Sequence, residues 1–267
     1  MMLVDLHVHS NYSDGADSVE NVMNKARAAG VKVLSFVDHD ITETYEKALP
    51  LAQLYGIDLI PGIEISAYDF KRGRKVHVLG YHYDLAAPNI KKLTEELLKR
   101  RHAHSLEQME SIRASGYVVD TSAVRENAEP SKVIYKQHIM KYLTDDDYNS
   151  DSYQKLYKTL FKGGGPAAGD IEYIDAVDAI RAIKADGGLV VIAHPGQLDS
   201  YEIIEENIEC GIDGIELLHP DHSSEDHLKI TELADKYQLL LTGGSDYHGS
   251  FGAETAIGVD AGLLRFD

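Results

Sequence analysis

Asp5-Leu6-His7-Val8-His9 reads as an apolar strand that ends in imidazoles. Side chains at i and i+2 of a strand share a face, so His7 and His9 point the same way. Near the other terminus, Ser245-Asp246-Tyr247-His248 repeats the device with Asp246 and His248. Two short segments from opposite ends of the chain can therefore fill one pocket. Further apolar runs stop at the same residue types. Val33-Leu34-Ser35-Phe36-Val37 runs into Asp38-His39-Asp40, Leu59-Ile60-Pro61-Gly62-Ile63 into Glu64, and Leu189-Val190-Val191-Ile192-Ala193 into His194, while His77 interrupts another apolar run. Taken singly, each is an ordinary polar histidine or turn acid. Their joint occurrence at strand ends is the one-dimensional pattern of a polynuclear metal site.

The segments between these runs read as helices. Asp17, with Glu20 three residues on, predicts a capped helix with Val19, Val22, Met23 and Ala26 on one face and Gly30 closing it. In the helical stretch after Thr42, Pro50 predicts a kink or two short pieces before Gly56 and a strand over 57–65. Residues 76–83 read as a fourth strand. From about residue 89 to 161 helix formers and tyrosines take over, which predicts a helical insertion. The alternation then resumes with a helix after Asp175 and strands over 189–193, 214–218 and 239–242. Strands alternating with helices imply parallel βαβ units, and about seven of them predict an α/β barrel related to the (β/α)8 type, with its active site at the C-terminal strand ends. The expected organisation is a barrel domain over 1–88 and 163–267, with a substrate-capping helical subdomain inserted over 89–162. Gly163-Gly164-Gly165-Pro166 lacks the Lys-Ser or Lys-Thr of a phosphate-binding loop and reads as the turn by which the insertion rejoins the barrel.

At 267 residues and 43% hydrophobic content the chain can bury a substantial core. It has no apolar stretch of the roughly 18–20 residues that span a bilayer. Its start, Met1-Met2-Leu3-Val4-Asp5, lacks a basic region followed by a cleavable apolar segment, so a cytoplasmic protein without a membrane partner is expected. Cys210 is the single cysteine, which leaves metal ligation to nitrogen and oxygen and favours manganese, iron, zinc or magnesium. The net charge of -18 opposes binding to long duplex nucleic acid. Bound divalent cations reverse that field locally for an anionic ligand.

Asp5-Leu6-His7-Val8-His9-Ser10, Ser13-Asp14-Gly15, Asp38-His39-Asp40, Gly62-Ile63-Glu64, His77-Val78-Leu79-Gly80-Tyr81, Ala193-His194-Pro195-Gly196 and Gly244-Ser245-Asp246-Tyr247-His248-Gly249 occur in this order along the chain. In these motifs the sequence resembles the polymerase and histidinol phosphatase (PHP) family. The resemblance implies a distorted (β/α)7 TIM-like barrel. With the helical insertion, it is most similar to the branch of 3',5'-nucleotide bisphosphate phosphatases, RNA 5'-end exonucleases and a cyclic phosphodiesterase.

The resemblance also implies three divalent metal ions, with manganese first and iron or zinc as alternatives. By position, His7, His9, Glu64 and Asp246 bind the first ion. Glu64 bridges to a second held by His77 and His194, and Asp14, His39 and His248 bind the third. Paired ions of this kind activate water and clamp a phosphoryl group during in-line attack, which makes Glu64 and Asp246 catalytic residues in this scheme. Asp38 and Asp40 orient the ligands. In the insertion, Tyr135-Lys136-Gln137-His138-Ile139-Met140 is similar to a family segment Gly-Arg-Pro-His-Ile-Ala, so Lys136 replaces an arginine and keeps charge without the planar fork. Lys136 and His138 are expected at the substrate. So are His222 and His219 of His219-Pro220-Asp221-His222-Ser223, with His222 first as donor to the leaving oxygen, and Arg100 and Arg101 at a second phosphate.

The expected function is hydrolysis of a small phosphorylated nucleotide or sugar, first of all removal of the 3'-phosphate from a nucleoside 3',5'-bisphosphate. Alternatives of the same class are a phosphodiesterase acting on a ribose cyclic phosphate and the trimming of short RNA ends from the 5' side. From other classes come a non-catalytic, metal-stabilised interaction domain and metal-dependent C–N hydrolysis. The complete ligand set disfavours the first, and the third metal set with Lys136 disfavours the second.

Overall fold

The structure, a computed structural model, describes residues 2–266. Strand β1 (Leu3–Val8) leads to α1 (Val19–Ala29), which buries Val19, Val22, Met23 and Ala26. Ser18 caps this helix by accepting from the Asn21 N–H, and Gly30 ends it in the left-handed conformation. The expected Asp17 cap is thus displaced by one residue, because the Asp17 carboxylate is taken by Lys25 and the Tyr247 hydroxyl. Strand β2 (Val31–Phe36) pairs parallel to β1. Helix α2 (Thr44–Tyr55) runs through Pro50 as one piece, not the two allowed for. A proline removes one N–H, and burial of Tyr45, Ala48 and Ala52 along one side holds the remaining turns.

Pro61, which cannot donate to a ladder, splits the strand expected over 57–65 into β3 (Asp58–Leu59) and β4 (Gly62–Asp69). Strand β5 (Arg74–Tyr81) folds straight back on β4 as an antiparallel hairpin, its turn closed by the Gly73 N–H on the Asp69 carbonyl at 2.8 Å. The expectation of parallel units throughout fails here, since the connection over 70–73 is far shorter than the dozen or so residues of a parallel crossover. Helices α3 (Pro88–Ala114), α4 (Thr121–Ala128), α5 (Lys136–Leu143) and α6 (Asp151–Phe161) follow without an intervening strand and share their own apolar cluster, with Met109, Ile112, Ile139, Met140 and Leu160 fully buried.

After β6 (Ile174–Asp175) the alternation resumes. It comprises α7 (Ala176–Ala185), β7 (Leu189–Ile192), the short α8 (Pro195–Leu198) and α9 (Glu202–Asn207), β8 (Gly214–Leu218), α10 (Ser224–Tyr237), β9 (Leu240–Gly243) and β10 (Val259–Asp260). The strands form two mixed sheets, ordered β10-β1-β2-β3 and β6-β4-β5-β7-β8-β9, in place of the single closed ladder of a regular barrel. At one end the sheets are stitched together. Glu64 donates its N–H to the Val37 carbonyl at 3.1 Å and accepts from Asp40 at 3.0 Å, and the His9 N–H reaches the Tyr247 carbonyl at 2.9 Å. Between the sheets lie Leu6, Val37, Leu79, Tyr81, Val191 and Ala193, and the Tyr81 hydroxyl donates to the Leu6 carbonyl at 2.7 Å. The stitched end is the one where the histidines of the strand-end motifs converge.

Candidate metal centre

Each predicted ligand reaches the stitched end for a reason local to its strand. His7 and His9 share a face of β1 and its extension, both with no exposed surface. His39 follows β2, His194 follows β7, and Asp246 and His248 follow β9. His77 lies near the start of β5, which is at this end because β5 runs antiparallel, opposite Ser66 of β4. Asp40, His194 and Asp246 hold φ of 62, 23 and 49°, in the left-handed region that non-glycine residues avoid. Such strain is retained where the surroundings over-determine the backbone, here in the loops that aim the side chains.

The atoms meet at ligand distances. His7 Nε2 lies 3.4 Å from Glu64 Oε2 and 3.3 Å from Asp246 Oδ1, and His9 Nε2 lies 3.2 and 3.3 Å from the same two oxygens. Bonds of about 2.0–2.1 Å to a tetrahedral centre place ligand atoms roughly 3.3–3.4 Å apart, so each of these four contacts has the spacing of two ligands on one ion, and His7, His9 and Asp246 lie close enough to share one. The other Glu64 oxygen is 2.8 Å from His77 Nδ1 and 2.9 Å from His194 Nε2. Asp14 lies 3.4 Å from His248 Nε2 and 3.9 Å from His39 Nε2. His39 Nδ1 is also 3.4 Å from Glu64, so a set of His39, Glu64 and His77 crosses the partition implied by the resemblance. Both ring nitrogens of His9 and Nδ1 of His194 are buried without a hydrogen-bond partner among the described residues. The orphaned His9 Nε2, 3.2 Å from Glu64 and 3.3 Å from Asp246, fits a divalent cation.

The electrostatics agree. Burial raises the pKa of Glu64, but His39, His77 and His7 more than offset it and hold the group well below the usual range; His248 and His7 do the same for Asp246, and His248 and His39 for Asp14. A carboxylate kept ionised by neighbouring imidazoles attracts protons onto them or a cation between them, and the cation takes the neutral imidazole.

A second layer fixes the first, and part of it escaped the sequence reading. Glu216, fully buried in β8, accepts from His7 Nδ1–H and the His194 N–H, each at 2.8 Å. Its signal was available, since a carboxylate between Ile215 and Leu217 in mid-strand has to be paired. Asp5 receives the N–H groups of His7, Ser245 and Gly258, while its burial pushes it up to about 6. Asp38 gathers Ser10, Ser13 and Thr44, which fixes the loop that carries Asp14.

The residues predicted at the substrate are placed differently from one another. Arg101 enters a polar cavity of about 190 Å³ that also touches Asp14, His39 and His77. It donates to Asp40 at 2.8 Å and Ser66 at 2.9 Å and lies over the Tyr135 ring. Lys136 and Gln137 line the same cavity, and the Gln137 amide donates to Asp14 at 3.0 Å. Arg100 points away, to the Glu172 carbonyl at 2.6 Å. His138 accepts the Tyr135 N–H at 3.1 Å and packs on Phe251. His219 Nε2 is 3.2 Å from Asp246 Oδ2 and its ring is 4.9 Å from that of His194, so it borders the cluster. His222 does not border it: Nδ1 donates to the Leu217 carbonyl at 2.8 Å and Nε2 accepts from Gly196 at 3.3 Å. Lys75, Asp170, Tyr157 and Tyr173, which the sequence reading passed over, complete the cavity wall.

Comparison with known proteins accords with this centre. The PHP domain family profile matches residues 5–186. A phosphoribosyl 1,2-cyclic phosphate 1,2-diphosphodiesterase of Eggerthella lenta is 48% identical over 96% of this chain and 98% of its own. A 3',5'-nucleoside bisphosphate phosphatase of Chromobacterium violaceum is 28% identical over 93% of this chain and 88% of its own. The structure of an amidohydrolase from Chromobacterium violaceum, with bound sulfate and no metal, superposes with a TM-score of 0.84 at 26% identity, covering 96% of this chain and 91% of that one. With the profile spanning more than half of the chain and a relative this similar along its whole length, the protein belongs to the PHP domain family and is a metal-dependent hydrolase of phosphate esters.

Proposed function

We propose that this chain is a cyclic phosphodiesterase that acts on phosphoribosyl 1,2-cyclic phosphate. The observation that carries the reading is the 48% identity, over nearly the full length of both chains, with the Eggerthella lenta diphosphodiesterase. Successive addition of two waters opens the ring to a monoester and then releases orthophosphate, leaving ribose 5-phosphate. Cleavage of both esters at one site suits a cluster with several places for phosphoryl oxygens.

Three divalent ions, manganese first, are proposed for the sets His7, His9, Glu64 and Asp246; Glu64, His77 and His194; and Asp14, His39 and His248. Bound there, they polarise phosphoryl oxygens and acidify water at neutral pH. The chain's own residues do the rest. Glu64 keeps both oxygens turned to histidines from four strands, which fixes the spacing of the sites. We read His219, which borders Asp246 and lines the cavity that also touches His248, as the donor to a leaving oxygen ahead of His222, which lies outside that cavity with Nδ1 bonded to the Leu217 carbonyl. Helices α3 to α6, residues 89–162, are read as a substrate-capping subdomain, because Arg101, Tyr135, Lys136 and Gln137 all come from that segment. The two sheets are read as one distorted barrel closed by the stitching at Glu64 and Tyr247.

The 28% identical bisphosphate phosphatase keeps 3'-phosphate removal from a nucleoside 3',5'-bisphosphate as the second reading. Phosphorus NMR of manganese-loaded protein with each substrate separates them. Orthophosphate from the cyclic ester, with adenosine 3',5'-bisphosphate unchanged, is the expected outcome. The reverse pattern overturns the proposal, and Glu64→Ala serves as the control that removes the shared carboxylate.

A further inference from the structure

We propose that Lys75 and Lys136, both held on Asp170, form a subsite that selects a terminal phosphate monoester on the substrate, one sugar away from the metal cluster. The identity of that sugar rests on the cyclic-phosphate reading; the subsite itself rests on the cavity. Lys75 precedes His77 by two residues on β5, so the two side chains share a face about 6.6 Å apart along the strand. Lys136 reaches the same cavity from the first turn of α5, next to Gln137, whose amide touches Asp14. The Lys75 ammonium is 2.8 Å from Asp170 Oδ2, the Lys136 ammonium 3.4 Å from Oδ1, and the Tyr173 hydroxyl donates to Oδ1 at 3.2 Å. The subsite thus pairs two ammonium groups with one carboxylate, which leaves one positive charge over for an anionic group.

That arrangement is poorly explained as a stabilising ion pair. Exposed pairs contribute about 0–1 kcal/mol, and a second ammonium beside the first is repelled by it. Burial lowers the pKa of Lys136, Asp170 opposes this, and Lys75 adds to the lowering. The Lys75 and Lys136 side chains are 35% and 25% exposed. Two partly desolvated ammonium groups sharing one carboxylate are relieved by a dianion that joins or replaces Asp170. Arg101, the other cation of the cavity, is already neutralised by Asp40 and covered by Tyr135. Lysine here acts as a movable point charge, which suits a freely rotating terminal phosphate better than a planar fork does.

The test compares ribose 1,2-cyclic phosphate with and without a 5-phosphate on the manganese-loaded full chain. The parent is expected to prefer the 5-phosphorylated ester in kcat/KM by about 100-fold or more, from charge-assisted contacts made with one substrate only. Lys75→Met and Lys136→Met should each cut that preference about 10-fold, chiefly through KM, and Lys75→Arg should restore most of it. A parent ratio near unity, or a ratio that the Lys→Met variants leave unchanged, overturns the proposal. If neither ester is hydrolysed, the cyclic-phosphate reading fails separately, and equilibrium binding of ribose 5-phosphate decides the subsite. Weaker binding in both Lys→Met variants and tighter binding in Asp170→Asn support it, whereas equal affinity across the parent and these variants overturns it.

Discussion

At the scale of single residues, Glu216 carries the argument that positioning matters as much as ligation. It has no exposed surface, and its two oxygens are taken by His7 Nδ1 and by the backbone of His194, residues proposed for two different metal sites. Partners of this kind fix the tautomer and orientation of a ligating imidazole. Glu216→Gln, which keeps the size but loses the charge, is therefore expected to weaken metal affinity by about 10–100-fold while leaving more of kcat at saturating metal. Competition against a chelator measures this, and an unchanged apparent Kd would remove Glu216 from the site. Glu64→Ala goes further, since five imidazoles face that one carboxylate; bound metal and turnover should both be lost. Most of the ligand candidates were legible in the sequence because they stand where an apolar run stops; His77 interrupts such a run, and Asp14 entered through the family resemblance. Glu216 was missed although an acid flanked by Ile215 and Leu217 in mid-strand signals a buried pair, because its partner is not visible in the sequence; Lys75, two places before a histidine, acquires meaning only when its neighbours in the cavity are known.

At the scale of elements, close approach and reversal of direction were what the sequence hid. A Cβ at Gly244 would run into the backbone nitrogen and Cβ of His7, so the end of β9 can lie against β1 only with glycine there. Gly244→Ala is expected to cost about 1–3 kcal/mol in chemical denaturation and to lower metal content in the same sample, because relief of the clash moves His7. Full metal content at parental stability would refute the contact. The β4–β5 hairpin shows the other side: runs of apolar residues announce strands but not their polarity, and only the short turn over 70–73 decides it. Helix α5 offers a pH prediction. His138 accepts the Tyr135 N–H at its start, and burial, partly opposed by Asp14, lowers its pKa to about 4. The unfolded chain binds that proton near pH 6.5, so the contribution is whole above 6.5 and shrinks as pH falls towards 4, by up to ~1.4 kcal/mol per unit. Urea unfolding of metal-free parent and His138→Gln at pH 7.5 and 5.5 should show their stability difference change by roughly 1 kcal/mol in the parent's disfavour. A difference independent of pH would mean that His138 takes up its proton in the folded chain at the same pH as in the unfolded one.

For the whole molecule, the distribution of the proposed ligands would make metal binding part of folding. His7, His9 and His39 belong to the sheet of β1 and β2, Glu64, His77 and His194 to the sheet of β4, β5 and β7, and Asp246 and His248 to the segment that joins them through Tyr247. Any ion held by His7, His9, Glu64 and Asp246 therefore bridges both sheets, and it binds the folded chain alone because the unfolded chain separates these residues by most of its length. Linkage then requires stabilisation of about 2.7 kcal/mol per site when free metal exceeds Kd by 100-fold. With about 2–4 °C per kcal/mol for a chain of this size, filling one site should raise Tm by roughly 5–10 °C. Manganese titration followed by differential scanning calorimetry, with and without chelator, measures the shift. Glu64→Ala should flatten the dependence on metal, since it removes the oxygens common to both sheets, while Lys75→Met should keep it. A parent Tm indifferent to chelator would mean that the cluster is held by its imidazole and carboxylate contacts alone, and the two sheets would then owe their association to the apolar layer of Leu6, Leu79, Tyr81 and Val191.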